Sequence, residues 1–201
     1  MEVILLCIIA YLLGSIPSGV WIGQKFYNKD IRQYGSGNTG ATNTFRILGV
    51  KAGTLAAIGD VLKGTIATFI PIYLETDIHP ILIGLFAILG HVYPIFLKFK
   101  GGKAVATTAG VALAIHPFFL FVFVGVFLVI LFVTSTVSIA SMLGVFLAAI
   151  GSLFLGDPIF SGVIWFLAIL IIYLHRSNIQ RLMKHEESKV PFGMRSSKKN
   201  K

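Results

Sequence analysis

The chain has 201 residues, of which 56% are hydrophobic and only 12% are charged, and its mean hydropathy is +0.87. A soluble domain of this size cannot bury so much apolar surface, which excludes a nucleic-acid-binding domain despite the net charge of +9. The single cysteine, Cys7, excludes a disulfide-framed secreted fold. The composition therefore predicts an all-α, polytopic membrane protein.

Apolar segments long enough to cross about 30 Å of hydrocarbon recur along the chain. Four of them are predicted single spans, at 3–24, 52–73, 78–97 and 158–175. The block 104–156 contains no charged residue, but turn-forming residues interrupt it at His116-Pro117 and at 134–138. Three short spans separated by these interruptions fill the block, so we predict seven transmembrane helices in total.

The distribution of Lys and Arg predicts the orientation, because these residues favour the cytoplasmic side of a membrane. They gather in three places, at 25–51, at 98–103 and after the last span. The other connections carry only acidic charges, and Lys63 lies inside a span. We therefore predict an amino terminus outside and a carboxyl terminus in the cytoplasm. The predicted domains are a single membrane domain over 1–187 and a polar, basic, mobile tail over 188–201.

The first cytoplasmic connection contains a glycine-rich loop, Gly35–Arg46, with the sequence GSGNTGATNTFR. Its glycines let backbone amides approach an anion closely, and Arg46 is able to hold a phosphate in a bidentate fork. A dinucleotide fold would need a surrounding βαβ unit, which is absent from this pattern. We predict a phosphate-binding loop, the alternative being a flexible connection. The candidate binding residues are Gly35, Gly37, Asn38, Gly40, Thr42, Asn43 and Arg46.

A second candidate pair, Asp60 and Lys63, lies inside the second predicted span. Residues three apart share a helix face, and charges inside a span are costly enough to suggest a function. We predict that the pair binds substrate, with Lys63 facing a phosphate. The alternative is a structural ion pair.

A third candidate site follows the third span, where Gly101 and Gly102 turn the chain and a helix is predicted to begin at Lys103. Open amides and the helix dipole favour an anion at such a position, so all three residues are candidate substrate ligands. His91, just before this turn, is a candidate base. A lone histidine at the end of a span is more often a structural hydrogen-bonding residue, so this is the favoured interpretation of His91.

A fourth group follows the last span, where His175, Asn178 and Arg181 recur at a spacing of three residues and share a helix face. Glu187 is placed to pair with Arg181. The alternative is an amphipathic surface helix. All four groups lie on the predicted cytoplasmic side, which favours a phosphate-bearing substrate at the inner leaflet.

The sequence contains no motif typical of a metal site or of a serine hydrolase. The five histidines are scattered without metal-ligand spacing, and no nucleophile elbow is present. We therefore expect no metal ion and no cofactor. A transporter of a phosphate-bearing solute is the alternative class, although transporters place their sites near the membrane midplane.

Five stretches, in order along nearly the whole chain, resemble the bacterial PlsY family of integral-membrane glycerol-3-phosphate acyltransferases. They are 14–19, 35–46, 60–64, 90–107 and 175–182. The resemblance implies a seven-span enzyme of the cytoplasmic (inner) membrane with its active site facing the cytoplasm. It implies transfer of a long-chain acyl group from acyl phosphate to the 1-hydroxyl of glycerol 3-phosphate, giving lysophosphatidic acid and phosphate. It also implies a functional link to a soluble enzyme that forms acyl phosphate.

The resemblance, together with the residue types, suggests a role for each candidate residue in this acyl transfer. Four cations, Arg46, Lys63, Lys103 and Arg181, would neutralise the two phosphates. Ser36 and Asn178 are candidate donors to the substrate or the oxyanion, and His175 is the first candidate base. A phosphate of the substrate is an alternative base. The chain departs from the family at His185, where glycine is usual two residues before the last acidic position, so His185 receives no role.

Overall fold

The computed structural model describes residues 1–196, and throughout that range the chain is helical, with connections but no strand. The all-α prediction is confirmed for this range. In chain order, the α-helices are α1 (Glu2–Gly14), α2 (Ser18–Tyr27), α3 (Ala41–Leu48), α4 (Val50–Tyr73), α5 (Pro80–Val92), α6 (Val105–Ile115), α7 (Pro117–Thr134), α8 (Val137–Ser152), α9 (Pro158–Leu174) and α10 (Arg176–Met183). Short 3-10 helices occupy Ile31–Gln33 and Ile95–Leu97.

Several of these helices are suited to a membrane. Within residues 1–196, three helical segments are long and apolar enough to cross it, namely α4, Pro80–Leu97 and α7. Two bent pairs, α1 with α2 and α9 with α10, raise the number to five if each pair is one span. The helices α6 and α8 are apolar but shorter. The chain is therefore a helical membrane protein, while the seven-span count and the orientation stay predictions.

The helices break at both interruptions predicted in the uncharged block. The first break separates α6, which ends at Ile115, from α7, which begins at Pro117. Proline suits this position because its missing N–H would have no partner in the first turn of a helix. The second break, between α7 and α8, contains Ser135 with a φ of +53°. Local turn chemistry was thus sufficient to predict where this block divides.

The chain divides into two compact units, the first from Met1 to Pro117 and the second beginning at Phe118. In the first unit, small residues bring α4 and α6 into close contact. A β-carbon at Gly110 would collide with the backbone carbonyl of Val61, and one at Gly64 with that of Thr107. Backbone contact of this kind drives helix association where lipid removes the hydrophobic effect.

In the second unit, the chain after α10 folds back onto the turn between α7 and α8. We call residues 188–196 the C-terminal strap. The Val190 N–H donates to the Ser135 carbonyl at 2.8 Å, and the Met194 N–H donates to the Phe132 carbonyl at 2.8 Å. The strap is thus hydrogen-bonded to the rest of its unit, and the predicted mobility of the tail stays a prediction. The rest of that predicted tail, 197–201, lies outside the described residues.

Candidate functional site

A buried polar cluster surrounds Asp60 in the first unit. The Lys63 Nζ lies 2.9 Å from the Asp60 Oδ1, and both side chains are only 4% exposed. The same carboxylate oxygen accepts a hydrogen bond from the Ser18 Oγ at 3.0 Å. The predicted shared helix face of Asp60 and Lys63 is confirmed. Enclosure within the protein and direct pairing are what make such charges tolerable in a membrane helix.

The break between α1 and α2 supplies a further partner for Lys63. The two helices bend by 42° around Pro17, which has no N–H and disfavours a helical conformation for Ile16. The Ile16 carbonyl is consequently available outside the helical hydrogen-bond ladder, and the Lys63 Nζ donates to it at 2.8 Å. The lysine thus fastens the bend to the middle of α4.

His91 lies against the same ion pair. Its Nδ1 is 3.1 Å from the Thr107 Oγ1 and 3.7 Å from the Asp60 Oδ1. A β-carbon at Gly102 would collide with the His91 Nε2. Both ring nitrogens are therefore enclosed by protein, which favours the structural alternative for His91 over a role as base.

The space around this cluster is small. A cavity of about 10 Å³ lies beside Asp60, Lys63 and the bend at Pro17. This volume is enough for about one water molecule and too small for a phosphate ester. The geometry therefore favours a structural ion pair, which was the alternative interpretation of Asp60 and Lys63.

Asn43 organises the glycine-rich loop from its interior. Its side chain belongs to a residue that is only 1% exposed, and its Oδ1 accepts a hydrogen bond from the Ser36 N–H at 3.0 Å. Its Nδ2 donates to three backbone carbonyls, those of Ile31, Tyr34 and Asn38, at 2.9, 3.2 and 3.0 Å. The Asn43 amide is thus committed to shaping the loop, which is a different part from the predicted direct contact with substrate.

Other residues of the glycine-rich loop lie at its surface. Ser36, Thr42 and Arg46 are exposed. Gly35 and Gly37 take φ values of +61° and +69°, in the left-handed region that glycine adopts without strain. Of the predicted ligands in this loop, Ser36, Thr42 and Arg46 are therefore the side chains best placed to meet a substrate.

Asn38 and Gly40 bond to each other within the loop. The Gly40 N–H donates to the Asn38 Oδ1 at 2.9 Å, just before α3 begins at Ala41. This is the local side-chain-to-backbone turn that asparagine favours. Their predicted part in substrate binding stays a prediction, with the Gly40 amide already occupied by this bond.

The glycine turn before α6 is bound to the end of α5. The Gly101 N–H donates to the Val92 carbonyl at 3.0 Å, and the Gly102 N–H donates to the His91 carbonyl at 3.1 Å. The amides of these two glycines are therefore occupied, and the following helix, α6, begins at Val105 and not at the predicted Lys103. Lys103 follows them as a half-buried cation, and its predicted role as a phosphate ligand stays a prediction.

A second polar cluster, in the second unit, centres on Glu187. Its Oε1 accepts hydrogen bonds from the Ser138 Oγ at 2.9 Å and the Asn178 Nδ2 at 2.6 Å. Its Oε2 accepts one from the Arg181 Nε at 2.7 Å, so the expected pairing of Glu187 with Arg181 is confirmed. One carboxylate therefore orients three donors.

The charge state of Glu187 follows from these contacts. Burial alone would raise its pKa, but the hydrogen bonds from Asn178, Arg181 and Ser138, together with the positive charge of Arg181, lower the pKa below its ordinary value of 4.5. Glu187 is consequently ionised at neutral pH. An ionised acceptor makes shorter and stronger hydrogen bonds than a neutral one.

His175 lies at the 53° bend between α9 and α10 and is 4% exposed. Its Nδ1 is 2.8 Å from the Ile171 carbonyl oxygen. Because a carbonyl only accepts, this partner assigns the proton to Nδ1 and makes Nε2 the basic nitrogen of the neutral ring. This is a tautomer that a general base requires. The predicted shared face holds for Asn178 and Arg181, whereas His175 precedes their helix.

The sequence analysis did not predict that Ser138, Ser18 or Thr107 would belong to a polar cluster. Ser138 lies forty residues before Asn178, and the two side chains share Glu187 only because of how α8 meets the chain after α10. The available signal was the run of hydroxyl residues at 134–138, which we interpreted only as a turn.

His185, which received no role, is exposed and has a φ of +57°. This is the left-handed region that suits the glycine usual at this position in the family. Within residues 1–196, no group of three or more His, Cys, Asp or Glu side chains is placed to hold a metal ion.

The fold and its polar clusters define a helical membrane protein with buried, hydrogen-bonded polar side chains. The sequence model of the family described as glycerol-3-phosphate acyltransferase matches residues 4–185. The glycerol-3-phosphate acyltransferase of Bacillus subtilis (strain 168) is 52% identical over 190 residues, which cover 94% of this chain and 98% of that protein. The enzyme of the same name from Streptococcus thermophilus (strain CNRZ 1066) is 48% identical over 213 residues, covering 100% and 99%. This chain belongs to the glycerol-3-phosphate acyltransferase (PlsY) family and is an acyltransferase.

Solved structures agree with this assignment. The crystal structure of PlsY in its glycerol 3-phosphate form superposes with a TM-score of 0.89 at 39% identity, covering 94% of this chain and 96% of that one. The lysophosphatidic acid form superposes with a TM-score of 0.86 at 38% identity. Both are integral membrane glycerol 3-phosphate acyltransferases. The resemblance found in the five sequence stretches is confirmed, and the transporter alternative has no support among these relatives.

Proposed function

We propose that this chain transfers a fatty acyl group from acyl phosphate to the 1-hydroxyl of glycerol 3-phosphate, forming lysophosphatidic acid and releasing phosphate. The observation that carries the proposal is the match over 94% of this chain to a PlsY structure in its glycerol 3-phosphate form. The matching lysophosphatidic acid form supports the product. The acyl phosphate donor rests on the resemblance of the sequence stretches to the family.

The proposed reaction needs orientation, charge neutralisation and one proton acceptor. The 1-hydroxyl oxygen attacks the acyl carbonyl carbon, the bond from that carbon to the phosphate oxygen breaks, and the hydroxyl proton passes to a base. Because phosphate leaves readily, the enzyme gains most by holding the two substrates in reacting geometry, which contributes up to about 7–11 kcal/mol in favourable cases.

Three cations suit the two phosphates of the substrates. Arg46 is exposed in the glycine-rich loop, Lys103 precedes α6, and Arg181 is fixed by Glu187. Lys63 is less suited, because its ammonium group is already bonded to Asp60 and a backbone carbonyl. We propose Arg46, Lys103 and Arg181 as the phosphate-binding cations.

Ser36, Asn178 and His175 are the proposed catalytic residues. The exposed Ser36 and the Asn178 held by Glu187 are candidate donors to the substrate or to the oxyanion. The tautomer of His175 supports it as the base ahead of His91, whose ring is enclosed. A substrate phosphate, with a second pKa near 6 by analogy with phosphoesters, is the alternative base.

We place the enzyme in the bacterial cytoplasmic membrane with its active site on the cytoplasmic side. The concentration of Lys and Arg in the connections that carry Arg46 and Lys103 supports this side. The resemblance to the family implies that the donor comes from a soluble enzyme that forms acyl phosphate. No cofactor, metal ion or nucleic acid has a part in the proposal.

The test is acyl transfer by the purified protein in lipid, with glycerol 3-phosphate as the acceptor. Acyl phosphate, acyl-CoA and acyl carrier protein are compared as donors. We expect lysophosphatidic acid from acyl phosphate alone. Product from one of the other donors would overturn the proposed donor, and folded protein without product from any donor would overturn the proposed reaction.

The Arg46→Lys variant tests the phosphate contact. Lysine keeps the charge but loses the planar fork, so we expect a roughly tenfold increase in the KM of one phosphate-bearing substrate. Arg176→Lys, an exposed arginine that stacks on Tyr173, is the matched control and should keep both KM values. Unchanged kinetics in Arg46→Lys would remove Arg46 from the proposed site.

A further inference from the structure

The C-terminal strap is held to the α7–α8 turn along its length. In addition to the bonds from Val190 and Met194, the Arg195 N–H donates to the Ser135 Oγ at 3.0 Å. Ser135 is fully buried. The strap therefore contacts one residue, Ser135, at two points that are five residues apart along the chain.

The strap supplies a hydrogen-bond donor to a backbone carbonyl at the end of α7. The last carbonyls of a helix have no partner within the helix, and leaving them without one is expensive near a membrane. The Phe132 carbonyl is one of these, and the Met194 N–H satisfies it at 2.8 Å. The strap thus acts as a cap for α7 that is supplied from sixty residues away.

Gly193 allows this close approach. Its φ is +93°, and a β-carbon at this position would lie 2.5 Å from the Phe132 carbonyl oxygen and 2.7 Å from the Ser135 Oγ. Any side chain here would force the strap away from the turn. The fit therefore depends on a glycine for both its backbone conformation and its lack of a side chain.

The turn and the strap meet again at the Glu187 cluster. Ser138 lies in the first turn of α8, three residues after Ser135, and donates to Glu187, which immediately precedes the strap. The strap, the turn, Ser138 and Glu187 consequently form a closed loop of contacts. Two proposed site residues, Asn178 and Arg181, are bonded to this loop through Glu187.

We propose that the C-terminal strap is a positioning element of the active site, which fixes Glu187 and so holds Asn178 and Arg181 in the geometry that binds one phosphate-bearing substrate. The strap lies beyond residue 185, where the family match ends. The inference rests on the proposed function, because it assigns the strap a part in substrate binding by that same site.

The test uses two matched glycine variants of the full chain. Gly193→Ala places a β-carbon against the Phe132 carbonyl, whereas Gly156→Ala, in the turn after α8, meets nothing within 4 Å. Both glycines have positive φ values, +93° and +70°, so both variants carry the same kind of backbone strain. The difference between them isolates the contact between strap and turn.

We expect Gly193→Ala to raise the KM of one substrate, glycerol 3-phosphate or acyl phosphate, by roughly tenfold, which is the scale of one hydrogen bond to a charged group. The KM of the other substrate should stay within twofold of the wild type, as should both KM values of Gly156→Ala. Equal kinetics in the two variants would overturn the proposal. A fall in kcat with both KM values unchanged would do the same, since it reports only a smaller folded fraction.

Hydrogen exchange distinguishes a failure of this inference from a failure of the proposed function. In Gly193→Ala, amides of α10 should exchange faster than in Gly156→Ala, whether or not the chain transfers acyl groups. Wild-type protein without activity counts against the proposed function, and protection of α10 that is equal in the two variants counts against the strap. If Gly193→Ala does not fold, chains ending at Glu187 and at Ser196 make a second pair for both measurements.

Discussion

Asn43 and Glu187 perform the same task in different units of the molecule. Each side chain forms hydrogen bonds with several partners at once. Asn43 bonds groups of the glycine-rich loop, and Glu187 bonds Ser138, Asn178 and Arg181. A buried polar group of this kind is costly unless all its partners are in place. Both residues therefore fix the positions of neighbouring groups.

The Asn43→Asp variant should destabilise the protein. The carboxylate cannot donate, so three backbone carbonyls lose their common donor. Those of Ile31 and Tyr34 keep bonds from backbone N–H groups, so we expect a loss of about 1–3 kcal/mol in total. Asn38→Asp is the control, because the Asn38 Oδ1 only accepts its bond from the Gly40 N–H. Thermal unfolding in detergent measures both. Equal unfolding temperatures would contradict the role of Asn43.

Glu187 should make the stability of the protein depend on pH in the acid range. Its folded pKa lies below the ordinary 4.5, so its contribution is complete above pH 4.5 and disappears as the pH falls through the folded pKa. Glu187→Gln should unfold more easily at pH 7, by about 1–3 kcal/mol, and the difference from the wild type should shrink below pH 4.5. The exposed Glu186→Gln is the control and should follow the wild type. A difference that is constant across this pH range would contradict the assignment.

At the scale of helices and connections, several predictions followed from local patterns and held. The breaks at 115–117 and 134–137 were predicted because proline and hydroxyl residues act on the nearest few residues of backbone. The amides of Gly101 and Gly102 are occupied, because the end of α5 supplies carbonyls to both. A turn is decided locally, whereas the availability of its N–H groups depends on which other segment packs against it.

The contact between α4 and α6 should be sensitive to a single methyl group. In Gly110→Ala the added β-carbon meets the Val61 carbonyl, and the helices must separate at a cost of about 1–3 kcal/mol. Gly125→Ala in α7 is the control, because nothing lies within 4 Å of its β-carbon. Unfolding temperatures in detergent should fall for the first variant only. A loss of the same size in both would contradict the role of this contact, because helix propensity favours alanine over glycine at either position.

At the scale of the whole molecule, the composition and the fold agree on a helical membrane protein. Five segments of the described chain are long enough to be spans if each bent pair counts as one, and the predicted seven require α6 and α8 to cross as well. The number of crossings between Lys103 and Asp157 is therefore the point on which the topology depends.

Labelling of single cysteines tests whether this number is odd. In a Cys7→Ser background, Lys100→Cys should react only from the cytoplasm and Phe154→Cys only from outside, because an odd number of crossings separates them. Both positions are exposed in the structure. An impermeant maleimide applied to intact cells and to inverted vesicles makes the measurement. Labels on the same side would mean an even number of crossings and would contradict the seven-span prediction.

The sequence by itself determined the class of this protein, the positions of its helix breaks and its family. Composition is a sum over residues, turn chemistry acts between neighbours, and the five stretches that resemble PlsY can be recognised without coordinates. Only the tertiary structure decided which polar groups are already occupied. It placed the Lys63 ammonium group on the Ile16 carbonyl, committed the Asn43 amide to its own loop, and brought Ser138 and the C-terminal strap to the Glu187 cluster. The physical reason is that a hydrogen bond is satisfied by whichever group packs within about 3 Å, and distance along the chain does not predict that neighbour.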